Sequence, residues 1–143
     1  MKKAAYRILD ANLNRCREGL RVCEEIGRFV MNSKTLASEL KRVRHSVASA
    51  ARGLGPGSAF ALSRDAGGDV GRLSRIKSER TRHGFSDIFA ANLQRVKESL
   101  RVLEEFAKLI DEKSSRRFEV LRFRVYEIEK RSFKRVAALR HLR

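Results

Sequence analysis

Residues 11–30 read ANLNRCREGLRVCEEIGRFV, and residues 91–110 read ANLQRVKESLRVLEEFAKLI. The offset is 80 throughout, with no gap, and ten of the twenty positions are identical. Around this repeat, Leu9, Leu13, Cys16, Leu20, Cys23, Gly27 and Val30 alternate spacings of four and three. Phe89, Leu93, Val96, Leu100, Leu103, Ala107 and Ile110 do the same. That period belongs to a helix with one face in a core. A short polar break follows each copy, Asn32-Ser33-Lys34 and Asp111 to Ser115. A second apolar stripe comes next: Leu36, Leu40, Val43, Val47 and Ala50 in the first half, and Phe118, Leu121, Val125 and Ile128 in the second, extending toward Leu139. Each half is therefore a helical hairpin, and two hairpins predict an all-α, pseudo-twofold four-helix bundle. The chain reads as one domain, 1–143, with repeat units at 6–52 and 86–143 and a connecting loop at 53–85.

The connection holds seven of the nine glycines and the only proline, Pro56. A long irregular connection inside a compact domain is usually functional or disordered. Its centre, Arg64-Asp65-Ala66-Gly67-Gly68-Asp69-Val70-Gly71, sets paired aspartates among glycines, and a short helix is expected within 73–80. The basic stretch 130–143 is expected to fray at its end.

Packing alone would keep the apolar positions of a repeat and let the polar ones drift. Here Asn12/Asn92, Arg15/Arg95 and Glu18/Glu98 are kept. They recur every three residues and so form one slanting stripe on each helix. Val22, Ile26 and Phe29 share its sector, which predicts a half-buried stripe; the wettest face is expected around Arg17, Arg21, Glu24 and Arg28. A half-buried arginine needs an anion or a carboxylate beside it, and its planar fork fits phosphate. The alternative is structural: Arg15 and Glu18 pair within their helix, or across the pseudo-twofold axis with Glu98 and Arg95. A salt-bridge lattice has no need of the two asparagines. Gly19, where the second copy has Ser99, implies close approach of a backbone or ligand, or equally tight helix packing.

The net charge of +16 calls for an anionic partner: nucleic acid, an anionic membrane surface or phosphorylated small molecules. No apolar run approaches the length of a membrane span. Cys16 and Cys23 stand roughly 10 Å apart along a helix, too far for a disulfide. They read as buried thiols of a reducing cytoplasm. Glycines let backbone N–H groups approach phosphate, and aspartates hold Mg²⁺, so the 64–71 segment suits a phosphate site. Without a GxxxxGK[ST] string it is no P-loop, and taken alone it reads equally as a glycine-rich turn with solvated aspartates.

The string LDANLNRCREGLRVCEE, the Arg44-His45 pair, RDAGGDVG and the second AANLQRVKESLRVLEE occur in this order. Together they resemble the small all-helical hydroxymethylpyrimidine phosphate kinase of thiamin biosynthesis, a domain often fused to thiamin phosphate synthase. The resemblance covers roughly residues 5–110. It implies ATP as co-substrate, Mg²⁺, and hydroxymethylpyrimidine monophosphate as acceptor, with discrimination against the unphosphorylated alcohol. On that basis Asp65 and Asp69, with Glu18 or Glu98, hold Mg²⁺. Arg15, Arg95 and Arg64 bind phosphates, and Arg44 binds substrate or nucleotide. Asn12 and Asn92 fix the pyrimidine amine or a phosphate oxygen, and Gly67, Gly68 and Gly71 let the loop close. A homo-oligomer is compatible with this reading. The rivals are a basic helical nucleic-acid-binding protein and a non-catalytic helical assembly module. Against the first, there is no Trp, only two Tyr, and basic residues interleaved with acids.

Overall fold

The heptad-like stripes become five helices, described over residues 2–72 and 81–142 of a computed structural model. They are α1 Lys2–Glu25, α2 Lys34–Ala51, α3 Gly57–Ser63, α4 Phe85–Ala107 and α5 Glu112–Ala138. No strand is present among the described residues. Helix α1 packs most extensively on α4, with α2 against α1 and α5 against α4, and α2 touching α5 to close the ring. The predicted apolar residues fill its centre: Leu9, Cys16, Leu20, Leu40, Val47, Leu93, Leu100, Phe118 and Val125 are all but inaccessible.

Local chemistry sets the hairpin corners. A π turn over Ile26–Val30 ends the first stripe, Asn32 takes the left-handed conformation at φ 48°, and the Ser33 hydroxyl caps α2 by accepting from the Leu36 N–H. Asp111 caps α5 in the same way from Ser114, so α5 begins at Glu112 and the second break is shorter than the sequence suggests. The Ser114 hydroxyl and N–H hold the Asp111 carboxyl below the usual carboxylate range.

Gly19 explains the α1–α4 contact. A Cβ there would stand 2.9 Å from the Asn92 carbonyl oxygen and 2.9 Å from Val96 Cγ2, so tight helix packing accounts for the glycine. The Cys23 thiol donates to the Phe89 carbonyl at 3.5 Å. These two contacts make the helices antiparallel and set Cys16 opposite Arg95 and Val96, which puts the pseudo-twofold axis beside Arg15 and Arg95. Both thiols are buried and unpaired, and burial pushes each up to about 12.

Two expectations are corrected. Glu24, assigned to the wettest face, is buried, because Arg44 of α2 reaches it at 3.0 Å. The connection 53–85 is not all loop: α3 lies within it and buries Phe60, with the Tyr6 and Phe60 rings edge to face at 5.3 Å. The basic C-terminal stretch is helical to His141, with Val136 and Leu139 buried against the bundle, and its last residue lies outside the described residues. The short helix expected within 73–80 lies outside the described residues.

The second copy repeats the Glu24 clamp. Arg21 meets Glu24 and Glu25 at 3.5 and 2.9 Å, and Arg44 closes on Glu24. Arg101 meets Glu104 and Glu105 at 2.6 and 2.9 Å, and Arg122 closes on Glu104 at 2.9 Å. Three of the identical polar positions, Arg21/Arg101, Glu24/Glu104 and Glu25/Glu105, thus tie each hairpin together.

Candidate functional site

The loop after α3 folds back on the N-terminal half of α1. Arg64 donates two hydrogen bonds to Asp10, Nε to Oδ2 at 2.7 Å and Nη2 to Oδ1 at 2.8 Å. These bonds raise the Arg64 guanidinium further above its ordinary range. Arg7 adds a bond from Nη2 to the Asp65 carbonyl at 3.4 Å and a longer ion pair to its carboxylate. The loop is shaped from inside by its aspartates: Asp65 Oδ1 accepts from the Gly68 N–H at 2.8 Å, and Asp69 Oδ1 from the Gly71 N–H at 2.9 Å. At Gly68 a Cβ would stand 2.5 Å from Asp65 Oδ2, so a larger residue there would push the Asp65 carboxylate aside. Gly67 sits exposed between these turns.

Loop and helix enclose an open cleft of about 580 Å³. Its described lining brings Asn12 and Arg15 of the first copy together with Arg64, Asp65 and Asp69, and adds Arg7 and Asp10. Arg15 is exposed and forms no ion pair or hydrogen bond with another described residue, which leaves its whole donor fork available. Asn12 is buried and ties its amide to the Ile8 carbonyl at 2.9 Å, which leaves its side-chain oxygen over.

The other predicted site residues lie elsewhere. Asn92 bonds the Ile88 carbonyl at 2.8 Å, the mirror of Asn12. Arg95 is exposed near the pseudo-twofold axis, and Glu98 accepts from Gln94 at 3.0 Å. None of these three lines the cleft. Arg44 is held by Glu24 and lines a separate hollow beside His45. The stripe is not uniformly half-buried as expected: the asparagines turn inward, while Arg15, Glu18, Arg95 and Glu98 stand in solvent. The reason is the closeness of α1 and α4 at Gly19, which leaves no room for long side chains between them. Among the described residues no group of three or more His, Cys, Asp or Glu side chains gathers to hold a metal, so Glu18 and Glu98 do not join Asp65 and Asp69. The two loop aspartates remain the residues at the cleft that suit a cation.

Asp10 is the residue that the sequence reading missed. It is buried at the root of the cleft, and its counterpart in the second copy is Ala90. Searching for kept positions passes over it; an unmatched acid between Leu9 and Leu13, on the edge of a core stripe, was the available signal.

A profile of the ThiD2 family matches residues 7–131. The chain is 41% identical over 129 residues to a thiamine-phosphate synthase of Nostoc sp. (strain PCC 7120 / SAG 25.82 / UTEX 2576), covering 90% of this chain and 35% of that protein. It is 42% identical over 126 residues to a thiamine-phosphate synthase of Synechocystis sp. (strain ATCC 27184 / PCC 6803 / Kazusa), covering 88% and 35%. It is 40% identical over 126 residues to one of Rhodopirellula baltica (strain DSM 10527 / NCIMB 13988 / SH1), covering 87% and 33%. The chain spans about a third of the length of these curated relatives. No solved structure matches it. No helix among the described residues is long and apolar enough to cross a membrane.

Proposed function

Because the chain belongs to the ThiD2 family, we propose that it serves thiamin biosynthesis as a kinase, moving the γ-phosphoryl group of ATP to hydroxymethylpyrimidine monophosphate. The relatives are named for a synthase; the third of their length matched here is the part to which we assign the kinase step. The observation that carries this reading is the cleft where Asn12, Arg15, Arg64, Asp65 and Asp69 meet.

In the reaction, a phosphate oxygen of the acceptor attacks the γ-phosphorus. The bond from that phosphorus to the β,γ-bridging oxygen breaks, giving the pyrimidine diphosphate and ADP. The attacking oxygen is already anionic near neutral pH, so no strong base is needed. Positioning and charge neutralisation carry such transfers. Arg15 and Arg64 supply cationic donors at the cleft, and the Asn12 oxygen is free to accept a hydrogen bond from a substrate bound there. Mg²⁺ takes one or two carboxylates and fills its octahedron with water and phosphate oxygens. Asp69, with one oxygen engaged in a turn and one left over, and Asp65, whose second oxygen has only the long pair to Arg7 at 3.9 Å, fit that demand. A bound Mg²⁺ supplies neutralisation of the transferring phosphoryl group. An acceptor without phosphate would leave the arginines unpaired, which favours the monophosphate over the alcohol.

The test is ADP release from ATP and Mg²⁺ with the pyrimidine alcohol or its monophosphate. Release with the monophosphate alone supports the reading, and silence with both sinks it. Arg15→Ala and Asp69→Ala should each sharply lower kcat/KM with helical circular dichroism intact; near-normal values in both would refute the role assignment.

A further inference from the structure

We propose that the acceptor monophosphate binds in a second groove, between α1, α2 and α3, and that the 580 Å³ cleft takes the nucleotide. This rests on the kinase reading and adds which substrate lies where. The groove measures about 280 Å³. Its floor is apolar and low, made by Leu13, Ala48, Ala51, Phe60 and Ala61, which suits a flat heteroaromatic ring. One end opens at Asp10, Asn14 and Arg64, and these three also line the larger cleft. The Arg64–Asp10 fork is therefore the partition between the two spaces. An acceptor phosphate at that end would face a nucleotide across Arg64, which can touch both. Arg17, one turn beyond Asn14 on α1, and Arg52 also line the groove. Arg52 is held by Ser49 at 2.9 Å, whereas Arg17 is exposed and pairs with no other described residue. The larger space suits the larger substrate, the nucleoside triphosphate.

The pseudo-symmetry supports the choice, because the second copy has lost this groove. The counterparts of Asp10, Asn14 and Arg17 are Ala90, Gln94 and Lys97. Lys97 is tied to both Glu129 oxygens at 2.8 Å and lies over the Tyr126 ring. The caps Ser33 and Asp111 set α2 and α5 in register at an offset of 78, so Ala48 and Ala51 are replaced by Tyr126 and Glu129, the two residues that hold Lys97. A hollow of only about 120 Å³ remains there, beside Phe89 and Phe133. In the first copy, α2 stops at Ala51 and the chain reverses at Gly55, whose φ of 139° favours glycine, so α3 folds back over α1. In the second copy α5 runs straight on through the equivalent point. The first copy thus holds both substrates and the second is its scaffold.

The test is calorimetric titration of the intact chain with hydroxymethylpyrimidine monophosphate and, separately, with Mg²⁺ and a non-hydrolysable ATP analogue. Ala48→Phe fills the groove from a half-exposed helix position, and Arg17→Ala removes an exposed cation with no fold to disturb. Ala48→Phe should raise the Kd for the monophosphate at least tenfold and Arg17→Ala several-fold, with nucleotide affinity within twofold in both. Unchanged monophosphate affinity in both variants, or loss of nucleotide affinity instead, overturns the assignment, as does failure of the wild type to bind the monophosphate. Turnover by the wild type with an unchanged KM in both variants sinks the groove and leaves the kinase reading standing. Groove-dependent binding without wild-type turnover keeps the groove and sinks the kinase reading.

Discussion

Glu104→Ala tests whether the identical acids of the repeat serve folding rather than chemistry. The Glu104 side chain is 7% exposed and its partner Arg122 is 14% exposed. Arg122 also lies over the Phe123 ring at 4.9 Å. Removing one partner of a well-buried pair leaves an uncompensated charge and costs about 3–5 kcal/mol. Arg122 sits at the bundle edge, where water reaches it, so the cost falls just below that range, to about 2–3 kcal/mol. With a urea dependence of about 2 kcal/mol per molar, the unfolding midpoint should fall by roughly 1–1.5 M. Arg101 contacts the same acid at 2.6 Å but is 54% exposed, so Arg101→Ala should cost less than about 1 kcal/mol. The assay is urea unfolding followed by circular dichroism on both single variants and on the Glu104→Ala/Arg122→Ala pair. The pair should recover part of the loss, because it removes the stranded charge. The clamp argument is refuted if Glu104→Ala costs under 1 kcal/mol, or if Arg101→Ala costs as much as Glu104→Ala.

Gly19→Ala should destabilise, although alanine gains up to about 1 kcal/mol of helix propensity, because the new Cβ meets the Asn92 backbone oxygen at 2.9 Å; a higher unfolding midpoint would contradict the packing. Burial raises both thiols to about 12. A folded value above the unfolded one stabilises below the unfolded thiol range near pH 8.5 and is lost as pH rises from there toward 12. Cys16→Ser/Cys23→Ser should therefore lose less stability than the native chain between pH 9 and 11. Asp10→Asn removes the charge that holds Arg64, so proteolysis at residues 64–72 should speed up and kcat/KM fall, with the urea midpoint nearly unmoved; an unchanged cleavage rate would mean that the loop docks by other means.

The four long helices and the core were legible because a 3.6-residue period written twice has few other solutions. The cleft was legible only in part. Asn12, Arg15, Arg64, Asp65 and Asp69 stood out by duplication or by glycine context, and they do meet. Duplication also marked Arg95, Asn92 and Glu98, which the cleft does not include, and it passed over Asp10, whose counterpart is Ala90. Within the repeat, kept polar residues have two causes that sequence cannot separate. Glu24 and Glu104 are kept where a neighbouring helix must be clamped, while Arg15 is left without a protein partner among the described residues.

The sequence by itself determined the two hairpins, the apolar faces and the acid–glycine loop, since these follow from local spacing and residue type. Only the tertiary structure decided where that loop lands. The landing depends on the bidentate contact across 54 residues from Arg64 to Asp10, with Arg7 on Asp65 beside it, and on Gly55 turning the chain back over the first copy. Long-range pairing of this kind leaves no period in the sequence, so apart from the unmatched Asp10 the repeat does not show that its site is built on one half.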